Sequence, residues 1–206
     1  MGKLINSLER LLLSRPKMDD YLSMLPNEKD FIDDVIKNYV KPNSILRTKK
    51  HFFLRKNVEP KSNDFWKLSW NDILMIRNGF KKNNLYDVLK ILYPIDEKQF
   101  LKLEILNVFA CYKYITEQMQ KLEAAELERL NSEIKDEDKM AGAEELLEYG
   151  YYNSLRAICP DLTKQEEYLK LPYTIIFREL AISKLINDIN LKKQENASRK
   201  NQTNGR

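Results

Sequence analysis

The chain alternates short apolar-periodic segments with proline stops. Where the period is legible it is helical: apolar residues recur at three- and four-residue steps along one face. Leu4, Leu8, Leu11 and Leu12 predict a first short helix that ends near Pro16. Tyr21, Leu22 and Leu25 make another short turn before Pro26, and Phe31, Ile32, Val35, Ile36 and Tyr39 form the face of a helix capped by Asn27 and closed by Pro42. Residues 41–69 lose this period. Within them the stretch from Ser44 to Arg55 reads as a strand or an extended arm, and the main boundary falls at about residue 65.

Beyond that boundary the helical period returns. Ser69 stands as cap before Trp70, Ile73 and Leu74, with Gly79 near that helix's end. Leu85, Val88, Leu89 and Leu92 predict a helix stopped by Pro94, and Asp96 caps a short turn holding Phe100 and Leu101. The longest expected element runs from about Leu103 to Asn131, with Ile105, Val108, Tyr112, Ile115, Met119 and Leu122 in heptad steps. The seam is too short for a coiled coil and reads as the core face of one subunit's helix. A charged loop at Asp136–Lys139 precedes a helix over Ala141–Tyr149, ended by Gly150. Thr163 and Glu166 have the capping-box spacing. Pro172 opens a last helix containing Tyr173, Ile176, Phe177, Leu180, Ile186 and Ile189. The expected fold is all-α: N-terminal helices and a basic arm (1–65), a multi-helix body with one long central helix (66–192), and a flexible polar tail (193–206).

Charge sharpens this outline. The net is only +4, yet residues 1–61 carry 13 basic against 8 acidic side chains, and residues 117–148 carry 4 against 11. Residues 178–206 return to 7 basic against 3 acidic. A basic front, an acidic waist and a basic tail suit head-to-waist pairing between copies, since complementary patches set register and encounter. Between Lys41 and Lys61 stand seven basic residues and a single acid, Glu59, with Phe52 and Phe53 interleaved. Three readings fit this arm: docking onto an acidic neighbour, a solvated loop, or a single-strand nucleic-acid surface. The docking reading assigns Arg47, Lys49, Lys50, Phe52, Phe53, Arg55 and Lys56 to one side, and Glu123, Glu126, Glu137 and Glu144 to the other.

Chemistry is sparse by comparison. The only histidine, His51, sits beside Lys49 and Lys50, whose charge disfavours an imidazolium. Cys111 and Cys159 are far apart, without metal-ligand spacing, and read as buried free thiols of a reducing compartment. No phosphate-cradling glycine loop, nucleophile elbow or metal-binding helix motif occurs. We therefore expect no catalytic residue, no cofactor and no metal. Glu9 and Arg10 interrupt the first apolar run, so no signal peptide is expected, and no apolar run is long enough to insert in a membrane.

A family resemblance begins at Trp66. It rests on Trp70-Asn71-Asp72-Ile73 opening a helix, and on Tyr93-Pro94-Ile95-Asp96 with Phe100-Leu101 before the long helix. Val108-Phe109, an acidic second half, Ala141-Gly142 with Leu146 and Gly150, and Leu169-Lys170-Leu171-Pro172-Tyr173 with Phe177 complete it. Over about residues 66–190 this layout resembles small helical tail-morphogenesis proteins of tailed bacteriophages, especially those of crAss-like phages of Bacteroidales. The resemblance implies a non-enzymatic viral structural protein that forms homo-oligomers. It would be a ring or barrel subunit of the virion tail or head–tail connector, made in the host bacterial cytoplasm. Its partners would be copies of itself and other tail proteins. A non-virion tail assembly chaperone is the alternative, and a nucleic-acid-binding regulator a second one.

Overall fold

The computed structural model describes residues 15–51, 54–130, 145 and 150–204. Among these the fold is all-α apart from one two-stranded hairpin. The helices are α1 (Met18–Ser23), α2 (Pro26–Tyr39), α3 (Trp70–Lys81), α4 (Leu85–Leu92), α5 (Glu97–Leu101), α6 (Ile105–Leu130), α7 (Tyr151–Ile158), α8 (Gln165–Lys170) and α9 (Tyr173–Asn204). The strands are β1 (Leu46–His51) and β2 (Leu54–Val58). The expected helices at Leu4–Leu12 and Ala141–Tyr149 fall outside the described residues, Glu145 excepted.

The chain forms two compact units. One comprises Met1–Leu68 with Asp72–Lys121, the other Ser69–Asn71 with Leu122–Arg206. The core of the first is built on the apolar face of α6. Ile105, Val108, Ile115 and Met119 of the expected seam are buried, Cys111 is buried in the place the seam gives to Tyr112, and Tyr112 itself is half-buried. Val88, Leu89 and Leu92 of α4 and Ile32, Val35 and Ile36 of α2 are buried with them. Each such aliphatic side chain contributes about 1.5–3 kcal/mol when fully removed from water. The seam expected from the sequence is therefore spent inside the subunit. At 1.5 Å per residue, α6 is about 39 Å long.

Helix ends differ from expectation where a neighbouring residue makes the better cap. Asn27 does not cap α2. Pro26 occupies its first turn, where the missing N–H costs nothing, and the Leu25 N–H donates to Glu28 Oε2 at 3.0 Å. Gly79 does stand near the end of α3, which closes at Lys81, while the left-handed turn falls on Asn83 (φ 50°), and Asn84 accepts the Asp87 N–H to start α4. Gly79 has another reason to be glycine: a Cβ there would lie 2.6 Å from Val88 Cγ2 and 3.3 Å from the Val88 backbone nitrogen. Asp96 does cap α5, accepting the Gln99 N–H at 2.8 Å while Gln99 Oε1 accepts its own N–H at 3.0 Å. The Thr163/Glu166 box does not form. Asp161 takes the N–H and the hydroxyl of Thr163 at 3.0 and 2.7 Å, and both bonds hold its carboxyl below its ordinary value.

The stretch from Ser44 to Arg55, expected as a strand or an extended arm, supplies β1 and the start of β2, a hairpin stitched to its own unit. Leu46 pairs with Val58, Arg47 with Asn57, Thr48 with Lys56 and Lys49 with Arg55, before a bulge between Lys49 and His51. The Asn107 side chain brackets Arg47, accepting its N–H at 3.3 Å and donating to its carbonyl at 2.9 Å. The Tyr93 hydroxyl donates to the Ser44 carbonyl at 2.7 Å, and Lys61 Nζ bonds the buried Asp72 carboxylate at 2.7 Å. A hairpin alone is marginal in water. These polar clamps and the fully buried Leu46 account for its order.

In the second unit, the Trp70 N–H donates to the Leu171 carbonyl at 2.9 Å and Ser69 bridges Pro172. Leu122, Leu155, Cys159 and Ile176 are buried there, and the Trp70 ring meets Tyr151 edge-on with centroids 6.4 Å apart. The expected polar tail continues as helix: α9 runs to Asn204.

Candidate assembly surfaces

Alternation along β1 and β2 divides the basic residues between two faces. Positions 46, 48, 56 and 58 share the inner face: Leu46 is buried, Thr48 and Val58 are half-buried, and Lys56 is exposed at its edge. Arg47 belongs to the opposite face and is exposed. The structure thus separates Lys56 from Arg47, which the docking reading had grouped. Lys49 and Arg55 are register partners and Lys50 lies in β1; for these three only the backbone is described. Phe52, Phe53, Glu137 and Glu144 lie outside the described residues.

The acidic partners also separate. Glu123 is exposed on α6, but Glu126 is half-buried and accepts a hydrogen bond from the Tyr173 hydroxyl within the second unit. Glu126 therefore has an internal task, tying α6 to the start of α9. Exposed Leu127 and Glu128 follow it.

Sequence reasoning missed the surface on α9. Ile182, Leu185, Ile186 and Ile189 step along one side of the helix at 45%, 59%, 51% and 43% exposure, with Leu191 beyond them. The Lys184–Asp188 pair, at 3.6 Å, borders the row. The signal was present in the sequence, because Ile186 and Ile189 belong to an evident apolar stripe. Periodicity identifies a helix's apolar face without saying whether the subunit itself buries it.

No match to this chain emerges from comparison with protein-family models, curated proteins or solved structures. The functional reading therefore rests on the residues themselves.

The described residues hold no group of three metal-ligating side chains, and no helix long and apolar enough to cross a membrane. Cys111 is fully buried, and burial pushes its thiol from the ordinary 9.0 up to about 11, partly offset by a hydrogen bond with Tyr93. It stays a protonated thiol near neutrality, without nucleophilic character. A cleft of about 800 Å³ lies between α2 and α6, where the Tyr21 hydroxyl donates to Asp33 at 2.6 Å and Lys113 bonds backbone carbonyls.

Proposed function

We propose that this protein is a non-catalytic assembly subunit of a tailed-phage virion, repeated in a ring or barrel of the tail or head–tail connector. The observation that carries the reading is the apolar row Ile182, Leu185, Ile186 and Ile189, left in water on a 32-residue helix. Contiguous apolar surface of this kind marks an interaction site. A second copy of the chain is the partner that fits best. The helix bearing the row carries Lys192 and Lys193, and the exposed end of α6 carries Glu123, Leu127 and Glu128, so one surface offers apolar and basic groups and the other apolar and acidic ones. Two different patches that complement each other make a head-to-tail contact, which yields a ring when the rotation between copies closes. The exposed Arg47 face of the hairpin adds a second basic element.

The test is native mass spectrometry of the purified chain and of two variants, Leu185→Glu with Ile189→Glu, and Lys49→Glu with Lys50→Glu and Arg55→Glu. Oligomers of fixed copy number that the first variant dissociates and the second weakens support the reading. A chain that stays monomeric across the accessible concentration range would refute self-assembly. Presence of the protein in purified particles at ring-like copy number separates a virion subunit from an assembly chaperone, which would be absent from them.

A further inference from the structure

A second cleft of the first unit has a different character. It measures about 510 Å³ and is lined by the inner hairpin face and the segments flanking α1 and α5. Three lysines line it, Lys17, Lys56 and Lys102, and no carboxylate does. They come from distant parts of the chain and are fixed by backbone pairing. The Met18 N–H donates to the Leu103 carbonyl at 2.9 Å and the Ile105 N–H to the Pro16 carbonyl at 3.0 Å, which pairs Lys17 with Glu104, just past Lys102 in the chain; Glu104 Oε1 in turn lies 3.9 Å from Arg15. Lys56 sits in the β ladder opposite Thr48, whose hydroxyl donates to the Lys56 carbonyl at 3.3 Å.

The contrast with other lysines is informative. Lys61 is paired with Asp72, Lys90 with Asp87, Lys184 with Asp188, and Lys113 with three carbonyls. None of the three cleft lysines makes an ion pair with a described residue. Of the neutral polar side chains of the cleft, Thr48 spends its hydroxyl proton on the Lys56 carbonyl, and Gln99 adds donors. Gln99 spends its carbonyl oxygen on the Asp96 N–H, which leaves its amide N–H groups for a ligand. Beneath these groups the buried Leu103 and Ile95 and the half-buried Val58 make an apolar floor. Cations and donors above an apolar floor, in a cleft of ligand size, ask for an anion with an organic body.

We propose that this cleft binds a small organic phosphate, its phosphoryl oxygens on Lys17, Lys56 and Lys102 and its organic part against Val58, Ile95 and Leu103. The phosphate could belong to a free small molecule or to a nucleic-acid chain, and the assay separates the two. Isothermal titration of the full chain at constant ionic strength uses inorganic pyrophosphate, ATP and a ten-nucleotide oligothymidylate. The comparison protein carries Lys17→Gln, Lys56→Gln and Lys102→Gln, all exposed positions whose loss leaves the core intact, as a matching circular dichroism spectrum would verify. Saturable one-to-one binding of ATP, with weaker binding of pyrophosphate and at least tenfold loss in the triple variant, is the expected result. Tight binding of the oligonucleotide without binding of ATP or pyrophosphate would overturn the small-molecule site. So would ATP binding that the triple variant leaves unchanged, or no binding of any probe.

Discussion

Lys113 holds the C-terminus of α2 from across the first unit, and removing its ammonium should weaken that unit measurably. Its Nζ lies 2.6 Å from the Ile36 carbonyl, 2.9 Å from that of Val40 and 3.0 Å from that of Lys37. The Lys37 and Val40 carbonyls stand past the last intrahelical bond of α2, where a helix end leaves its acceptors without donors, and the cation also meets the negative end of the helix dipole. A hydrogen bond to a charged group contributes about 1.5–3 kcal/mol and the dipole about 0.3–1 kcal/mol. The three bonds are not additive, because the Ile36 carbonyl keeps the Val40 N–H at 3.2 Å and water can reach the others. Lys113→Met, which keeps the stem and deletes only the head, should therefore cost about 2–3 kcal/mol. Urea denaturation followed by circular dichroism would show the midpoint falling with the slope unchanged. Native-state hydrogen exchange would localise the effect, with the Val40 amide losing protection well before the α6 amides. Lys113→Arg should recover only part, since a planar fork cannot converge on three carbonyls as a compact ammonium does. A Lys113→Met midpoint within error of the parent, or protection lost evenly across the unit, would refute the clamp.

Two further outcomes follow from the core. Gly79→Ala gains about 0.5–1 kcal/mol of helix propensity but drives a Cβ into the stiff Val88 side chain and close to its backbone nitrogen, so a net loss of about 1–2 kcal/mol is expected. The double variant Gly79→Ala/Val88→Ala should show a favourable coupling in the same denaturation assay, and simple additivity would count against the contact. Cys111 makes stability fall at alkaline pH: its folded value of about 11 lies above the ordinary 9.0, so the unfolded chain releases a proton first. That contribution is intact below pH 9 and lost as pH rises towards 11, by on the order of 2 kcal/mol, and Cys111→Ala should flatten this part of the pH–stability curve.

The parts of this fold that sequence disclosed are those governed by one periodic variable. The α6 seam repeats every three or four residues, and Ile105, Val108, Ile115, Met119 and Leu122 are buried as that period requires, with Tyr112 half-buried. Pro94 and the Asp96 box act over three residues and could be read directly. Features that depend on choosing between neighbours were harder. Thr163 has the capping spacing, yet Asp161 reaches both of its donors first. Gly79 has the helix-ending identity, yet Asn83 tolerates the left-handed turn and glycine is needed for the approach of Val88. Lys113 carried no signal at all, because its partners lie more than seventy residues away.

The basic segment shows most clearly why composition and surface are different quantities. Read as a string, Arg47 to Lys56 is one positive block, and a single docking role follows naturally. Folding it into a ladder imposes a period of two, so alternate charges serve opposite faces. Arg47 stays on the outer face, where a neighbouring subunit could meet it. Lys56 turns to a cleft with Lys17 and Lys102, residues that no local reading would join to it. The two proposals therefore make separable demands on one hairpin. Reversing charge at Arg47 should affect assembly and spare anion binding, while Lys56→Gln should do the reverse. A variant pair that affected both properties equally would mean that the hairpin acts only as a diffuse positive field, and would remove the reason for assigning either face its own role.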